Sequence, residues 1–108
     1  MNPPSRRQKI EAMLVEEPGD TFLRYSLAME LGKEGELENS LECFRSLMAD
    51  SPPYVPAFFM AGQQLARAGR IEESRTVLRD GIDQARRQAN AHAAGEMSEF
   101  LASLGSLG

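Results

Sequence analysis

Apolar positions recur along the chain at helical spacing, and the runs are separated by glycines, prolines and polar capping residues. From Ser5 to Val15, Ile10, Met13 and Leu14 form one stripe, which predicts a short amphipathic helix. Its charges oppose the helix dipole, with Arg6 and Arg7 early and Glu16 and Glu17 late, so it is expected to lean on a neighbour. Pro18-Gly19-Asp20 breaks it, and Asp20 is placed to cap a second helix, Thr21 to Lys33. A third, Glu36 to Ala49, comes after Gly35 and stops at Asp50-Ser51-Pro52-Pro53, where two prolines cannot continue a helix. The fourth is predicted from Val55 to Ala68, with Pro56 tolerated in its first turn, and it ends at Gly69. A fifth begins near Ile71 and runs past Ala85 towards Arg87. Asn90 can cap a sixth, whose stripe is Met97, Phe100, Leu101 and Leu104, and the tail from Gly105 to Gly108 is expected to fray. The pattern does not decide whether the fifth and sixth are separate helices or one.

Nothing alternates for long at period two, and no Asn-Gly or Asp-Gly turn joins two β-branched runs, so strands are not predicted. Short turns between helices favour antiparallel neighbours. The expected fold is all-α, a succession of antiparallel helical hairpins.

The chain also repeats itself. Gly35 and Gly69 stand 34 residues apart, and in the same register Ala28 matches Gly62, Leu31 matches Leu65, and Leu37 matches Ile71. Glu38 and Glu72, Ser40 and Ser74, and Phe44 and Leu78 continue the correspondence. A 34-residue helix–turn–helix period is that of the tetratricopeptide repeat. That family's pattern is an aromatic, Leu-Gly two residues on, a Tyr after two more, a later Ala and Phe, and a closing Pro. The second repeat resembles it through Phe58, Ala61-Gly62, Leu65, Ser74 and Leu78, the first through Leu27-Ala28, Leu31, Ser40, Phe44 and Pro52. Arg24 stands where the aromatic would be, both late alanines are serine, and Arg86 replaces the second closing proline.

The resemblance covers about Thr21 to Gln88 and implies an α-solenoid. One domain, residues 1–108, is expected: repeats at 21–54 and 55–88, flanked by an N-terminal capping helix at 5–17 and a C-terminal one at 90–104. Two repeats alone would expose apolar faces at both ends, which the flanking helices are placed to cover. Ser98, Glu99 and Ser103 would give the last helix a polar outer face.

Composition narrows the function. The chain has 108 residues, a formal net charge of −4, no Trp, and seven aromatics, five Phe and two Tyr. An acidic surface repels phosphate backbones, and the short cluster Arg6, Arg7 and Lys9 does not reverse that, so a nucleic-acid partner is not expected. The same balance argues against the use made of a related helical-hairpin repeat that reads RNA. A single cysteine, Cys43, excludes an internal disulfide and every multi-cysteine metal site. The start is polar and proline-bearing rather than apolar, and no stretch reaches the roughly 18 apolar residues of a membrane span. A cytoplasmic protein without a membrane partner is expected.

Catalytic chemistry finds little support. His92 is the only histidine and is read as a helix-start or surface residue; Cys43 is read as packing beside Phe44. The glycines Gly32, Gly35, Gly62 and Gly69 lack the preceding strand and the Gly-Lys-Ser/Thr of a phosphate loop. The acidic run Glu34, Glu36, Glu38 and Glu42 reads as a solvated helix start. No enzyme activity, cofactor or metal is expected.

By resemblance, the first helix of each repeat lines a concave groove that holds a peptide or partner helix. With Leu27, Ala28 and Leu31 turned to the hairpin partner, Phe22, Tyr25, Met29 and Lys33 share another face. On the fourth helix the corresponding face carries Pro56, Phe59, Gln63, Ala66 and Arg67. Both helices are therefore apolar on more than one side. Tyr25, Met29 and Phe59 are the expected apolar anchors, with Lys33, Gln63 and Arg67 as polar contacts. The alternative is that Phe22, Tyr25 and Phe59 pack against the flanking helices. The family's clamp for a C-terminal carboxylate is not expected, because Tyr25, Met29 and Met60 replace its cationic and amide donors. The expected function is binding of a protein or peptide; the alternative is a homo-oligomer, such as a homodimer, using the same apolar surface or Met97 and Phe100.

Overall fold

A computed structural model describes residues 2–105. It contains six helices: α1 Arg6–Glu16, α2 Thr21–Lys33, α3 Leu37–Met48, α4 Val55–Arg67, α5 Ile71–Arg87 and α6 Ala91–Leu104. No strand occurs among the described residues, and none of their helices is long and apolar enough to cross a membrane. The fold is thus all-α, as the spacing predicts. Of the tail expected to fray, residues 106–108 lie outside the described chain.

Helix ends obey local chemistry. Ser5 stands outside α1 as its cap: its hydroxyl accepts from the Gln8 amide at 3.1 Å, while the Gln8 side chain accepts from the Ser5 amide at 2.8 Å. This reciprocal capping box compensates a helix whose charges are wrongly placed for its dipole. Asp20 caps α2 through the Leu23 amide at 2.8 Å, and Asn90 caps α6 through the Ala93 amide at 3.1 Å.

Helices α5 and α6 are separate. At the end of α5, Asn90 N–H reaches the Ala85 carbonyl at 2.7 Å and Ala89 N–H reaches Arg86 at 3.1 Å. That is a Schellman closure, and it forces Ala89 to φ +59°. The closures after α2 and α4 are the same, Glu36 to Leu31 and Arg70 to Leu65, both 2.9 Å, but there glycines take the left-handed position, Gly35 at φ +81° and Gly69 at +79°. An alanine at the third such site carries a strain that glycine does not.

The chain groups into two compact units, one up to Leu47 and one from Met48 onward. In the first, α1 lies along α2. Ile10 is buried, and Arg6 and Arg7 reach across to Glu30 at 2.7 Å and Glu34 at 3.0 Å. Helix α2 meets α3 through a buried bond: the Ser40 hydroxyl donates to the Ala28 carbonyl at 2.5 Å. Tyr25 packs edge-on against Phe44 with centroids 5.9 Å apart, and Arg24 donates to the Ser46 hydroxyl at 2.7 Å.

In the second unit α5 lies beside both α4 and α6, and α6 also touches α4. The core is Val55, Phe58, Leu78, Ile82, Ala85, Ala94, Met97 and Leu104. The Ser74 hydroxyl donates to the Gly62 carbonyl at 2.6 Å, which repeats the Ser40–Ala28 bond 34 residues later. Two glycines permit the close approach. A Cβ on Gly62 would meet Leu78 Cδ2 at 2.7 Å, and one on Gly81 would meet Phe58 Cβ at 2.5 Å and Met97 Sδ at 2.6 Å. Arg75 pairs with Glu72 and donates to the Leu104 carbonyl at 2.8 Å, closing the end of α6.

These contacts set the expected stability changes. Ser40→Ala and Ser74→Ala should each cost about 1 kcal/mol, the net worth of one buried hydrogen bond, read from urea denaturation. Unchanged midpoints would mean the hydroxyls contribute nothing. In the same assay Ala89→Gly should gain about 0.5–1 kcal/mol, because relief of the left-handed strain exceeds the added chain entropy. Gly81→Ala should lose about 1 kcal/mol or more, since overpacking against the stiff Phe58 Cβ outweighs the better helix propensity.

Candidate functional site

The residues expected to line a groove divide between the units. Phe22, Tyr25, Met29 and Lys33 fall in the first; Phe59, Gln63 and Arg67 fall in the second. Tyr25 is half-buried with its ring against Phe44 of α3. Phe59 is half-buried with its ring edge-on to Phe100 of α6, centroids 5.9 Å apart. Met29 and Gln63 are half-buried, Arg67 is exposed, and Lys33 is exposed with its ammonium 3.4 Å from Glu30. Phe22 differs from all of these. It is 72% exposed although it is a large apolar side chain.

Phe22 lines a cleft of about 400 Å³ between α1 and α2. Its floor is Ile10 and Leu23, and Met13, itself 52% exposed, stands on the facing helix. Arg6 and Lys9 form the other end, with Ser26 between. The helices run antiparallel, so the end of α1 that carries Met13 meets the start of α2 that carries Phe22. The helical spacing puts Met13 in the packed stripe of α1, but only Ile10 of that stripe is buried and Leu14 is half-buried. The cleft was not legible because the stripe fixes a face without fixing how deeply α2 covers it.

A second cleft in the same unit, about 380 Å³, is lined by Leu14, Leu27, Leu31 and Cys43, with Arg24 and Glu42 at its edge. Burial raises the Cys43 thiol above its ordinary range; Glu42 adds to the rise and Arg24 opposes it. A thiol held in its neutral form is a poor nucleophile. His92 lies exposed on α6 with its ring nitrogen 3.3 Å from Glu96. Among the described residues, no buried side-chain nitrogen or oxygen lacks a hydrogen-bond partner. Thus no orphaned polar group points into either cleft, and the exposed apolar surface is what distinguishes the first.

No protein-family model matches the sequence, and no curated protein matches it. Among solved structures the chain is similar to a Bordetella parapertussis protein whose solution structure was determined by a structural genomics consortium. The TM-score is 0.82 at 21% identity, over 96% of this chain and 90% of that one. At that identity the likeness speaks to fold alone, and it agrees with an all-helical hairpin architecture across nearly the whole chain.

The environment of Cys43 makes a kinetic prediction. At neutral pH its alkylation by iodoacetamide should run several-fold slower than that of an unburied thiol. Glu42→Gln should speed it and Arg24→Gln should slow it, because the first removes a charge that disfavours the thiolate and the second one that favours it. Rates that match free cysteine, or move in the opposite sense, would contradict this electrostatic account.

Proposed function

We propose that this chain is a tetratricopeptide-type repeat protein that works by holding another polypeptide, and that the α1–α2 cleft is part of its ligand face. Support for the repeat comes from equivalences within the hairpins. The bounds of α2 and α4, the starts of α3 and α5, the glycine closures at Gly35 and Gly69, and the serine-to-carbonyl bonds from Ser40 and Ser74 all recur at 34 residues, while α5 runs five residues longer than α3. Such repeats are binding surfaces built from helical hairpins.

One observation carries the functional reading: Phe22 is 72% exposed and faces a cleft with Met13. Exposed apolar side chains gathered at a concave site mark interaction surfaces, whereas scattered ones are ordinary. Tyr25 and Phe59, the other aromatic candidates, already have ring partners within the chain, Phe44 and Phe100. Phe22 and Met13 therefore take the role of anchors in the proposal, with Tyr25 and Phe59 helping to hold their helices. A cytoplasmic setting suits the single cysteine and the acidic balance.

The test is affinity capture from the native host's lysate with the wild type and with Phe22→Ser/Met13→Ser. Both side chains are exposed, so circular dichroism and the melting midpoint should change little. A protein held by the wild type and lost by the variant is the expected result. If both forms recover the same set, the cleft is not the ligand face. If the wild type recovers only more of itself, and the variant does not, self-association replaces the adaptor reading.

A further inference from the structure

We infer that the occupant of the α1–α2 cleft is an acidic amphipathic helix of a partner protein, with an apolar residue between Phe22 and Met13 and carboxylates facing Arg6 and Lys9. This rests on the reading above that the cleft holds a polypeptide, and it adds what that polypeptide must look like. The cleft is polarised along its length. One end is apolar, with Met13 and Phe22 above Ile10 and Leu23; the other carries Arg6 and Lys9. No acidic residue lines it, although the whole chain carries a net charge of −4. A local basic lip on an acidic protein selects an acidic ligand, while the net charge of −4 carried by every copy opposes self-association.

Arg6 is already oriented for this role. Glu30 holds its Nε at 2.7 Å, yet the arginine side chain remains 75% exposed. A guanidinium fixed through one nitrogen loses less rotamer freedom when a second carboxylate arrives. The positive end of the α1 dipole adds to the same field. Lys9, exposed one turn further along, supplies the second charge.

Geometry sets the form of the ligand. Two antiparallel helices leave a groove in which a third helix seats by ridges-into-grooves packing. Arg6 and Met13 are seven positions apart on α1, about 10 Å at the helical rise. A partner helix lying along the groove must match that interval, which puts its carboxylate about two turns from its apolar anchor, on the same face.

The probe is a phage-displayed library of random peptides about four helical turns long, selected on the wild-type chain with counter-selection on Phe22→Ser. The enriched peptides should combine a large apolar residue with Asp or Glu about six to eight positions away, and should gain helicity on binding. Their affinity should fall with added salt, and Lys9→Glu should weaken it roughly three- to tenfold, the effect of reversing one exposed charge in an interface. Peptides that need Phe22 but carry no acidic residue, or bind Lys9→Glu as tightly as wild type, overturn the acidic-helix inference and leave the docking reading standing. Peptides that bind Phe22→Ser equally well, or no enrichment at all, overturn both.

Discussion

The close crossing of the paired helices is the constraint on which the rest depends. In each hairpin a serine on the second helix donates its hydroxyl to the carbonyl of a small residue on the first, Ser40 to Ala28 and Ser74 to Gly62. Such a bond requires the backbones to come close, and the residues that accept it are small, Ala28 in one hairpin and Gly62, where a Cβ would meet Leu78 at 2.7 Å, in the other. Once the crossing is fixed, the large residues have one place to go: Leu31 and Phe44 in one hairpin, Leu65 and Leu78 in the other, all buried. The serine hydroxyl is satisfied inside the core, so a polar atom adds a defined register instead of a desolvation penalty. Gly81 extends the same logic from α5 to α6 by admitting Met97.

Charge governs the other contact of the first unit. Arg6 and Arg7 at the start of α1 sit at the wrong end of that helix's dipole, and Glu30 and Glu34 sit at the wrong end of α2's. Antiparallel packing brings the two unfavourable ends together, where Arg6 meets Glu30 at 2.7 Å and Arg7 meets Glu34 at 3.0 Å, offsetting both dipole mismatches. The exposure of Arg6 and the partial exposure of Arg7 limit what these pairs contribute to stability. Their stronger effect is on specificity, since a parallel or shifted α1 would leave four like-placed charges unrelieved. A helix too short to hold alone thus acquires one orientation.

Helices, breaks and the period of 34 were legible in the sequence because each has a local cause. Pro52 and Pro53 stop α3, glycines close α2 and α4, and Asp20 and Asn90 cap α2 and α6. Other features depend on partners that the chain reaches only after folding. Ala89 gives no sign of its left-handed turn, because alanine is otherwise the best helix former. In sequence both serines are departures from the family's alanines; in the fold each has an acceptor 12 residues earlier in its hairpin. The helical face of Phe59 leaves open a groove role or packing on the last helix; its ring contact with Phe100 shows the packing, which the sequence alone cannot choose because it depends on where α6 docks. The capping box at Ser5 and Gln8, by contrast, was present as a four-residue spacing and could have been found.

Repetition also separates what the fold demands from what it does not. Positions that both hairpins bury in the same way, such as Leu31 with Leu65 or Ser40 with Ser74, answer to packing. Phe22 corresponds to Pro56 at the 34-residue interval, and both are exposed in the first turn of their helices. A position that accepts proline in one repeat does not need an aromatic for folding in the other. Leaving a phenylalanine in water forgoes the burial of most of its apolar surface, on the order of 1–2 kcal/mol that the chain does not recover on its own. The packing of the hairpin gives no reason for it. In the docking proposal the exposed ring, beside Met13 above an apolar floor, is one half of a contact that another polypeptide would complete.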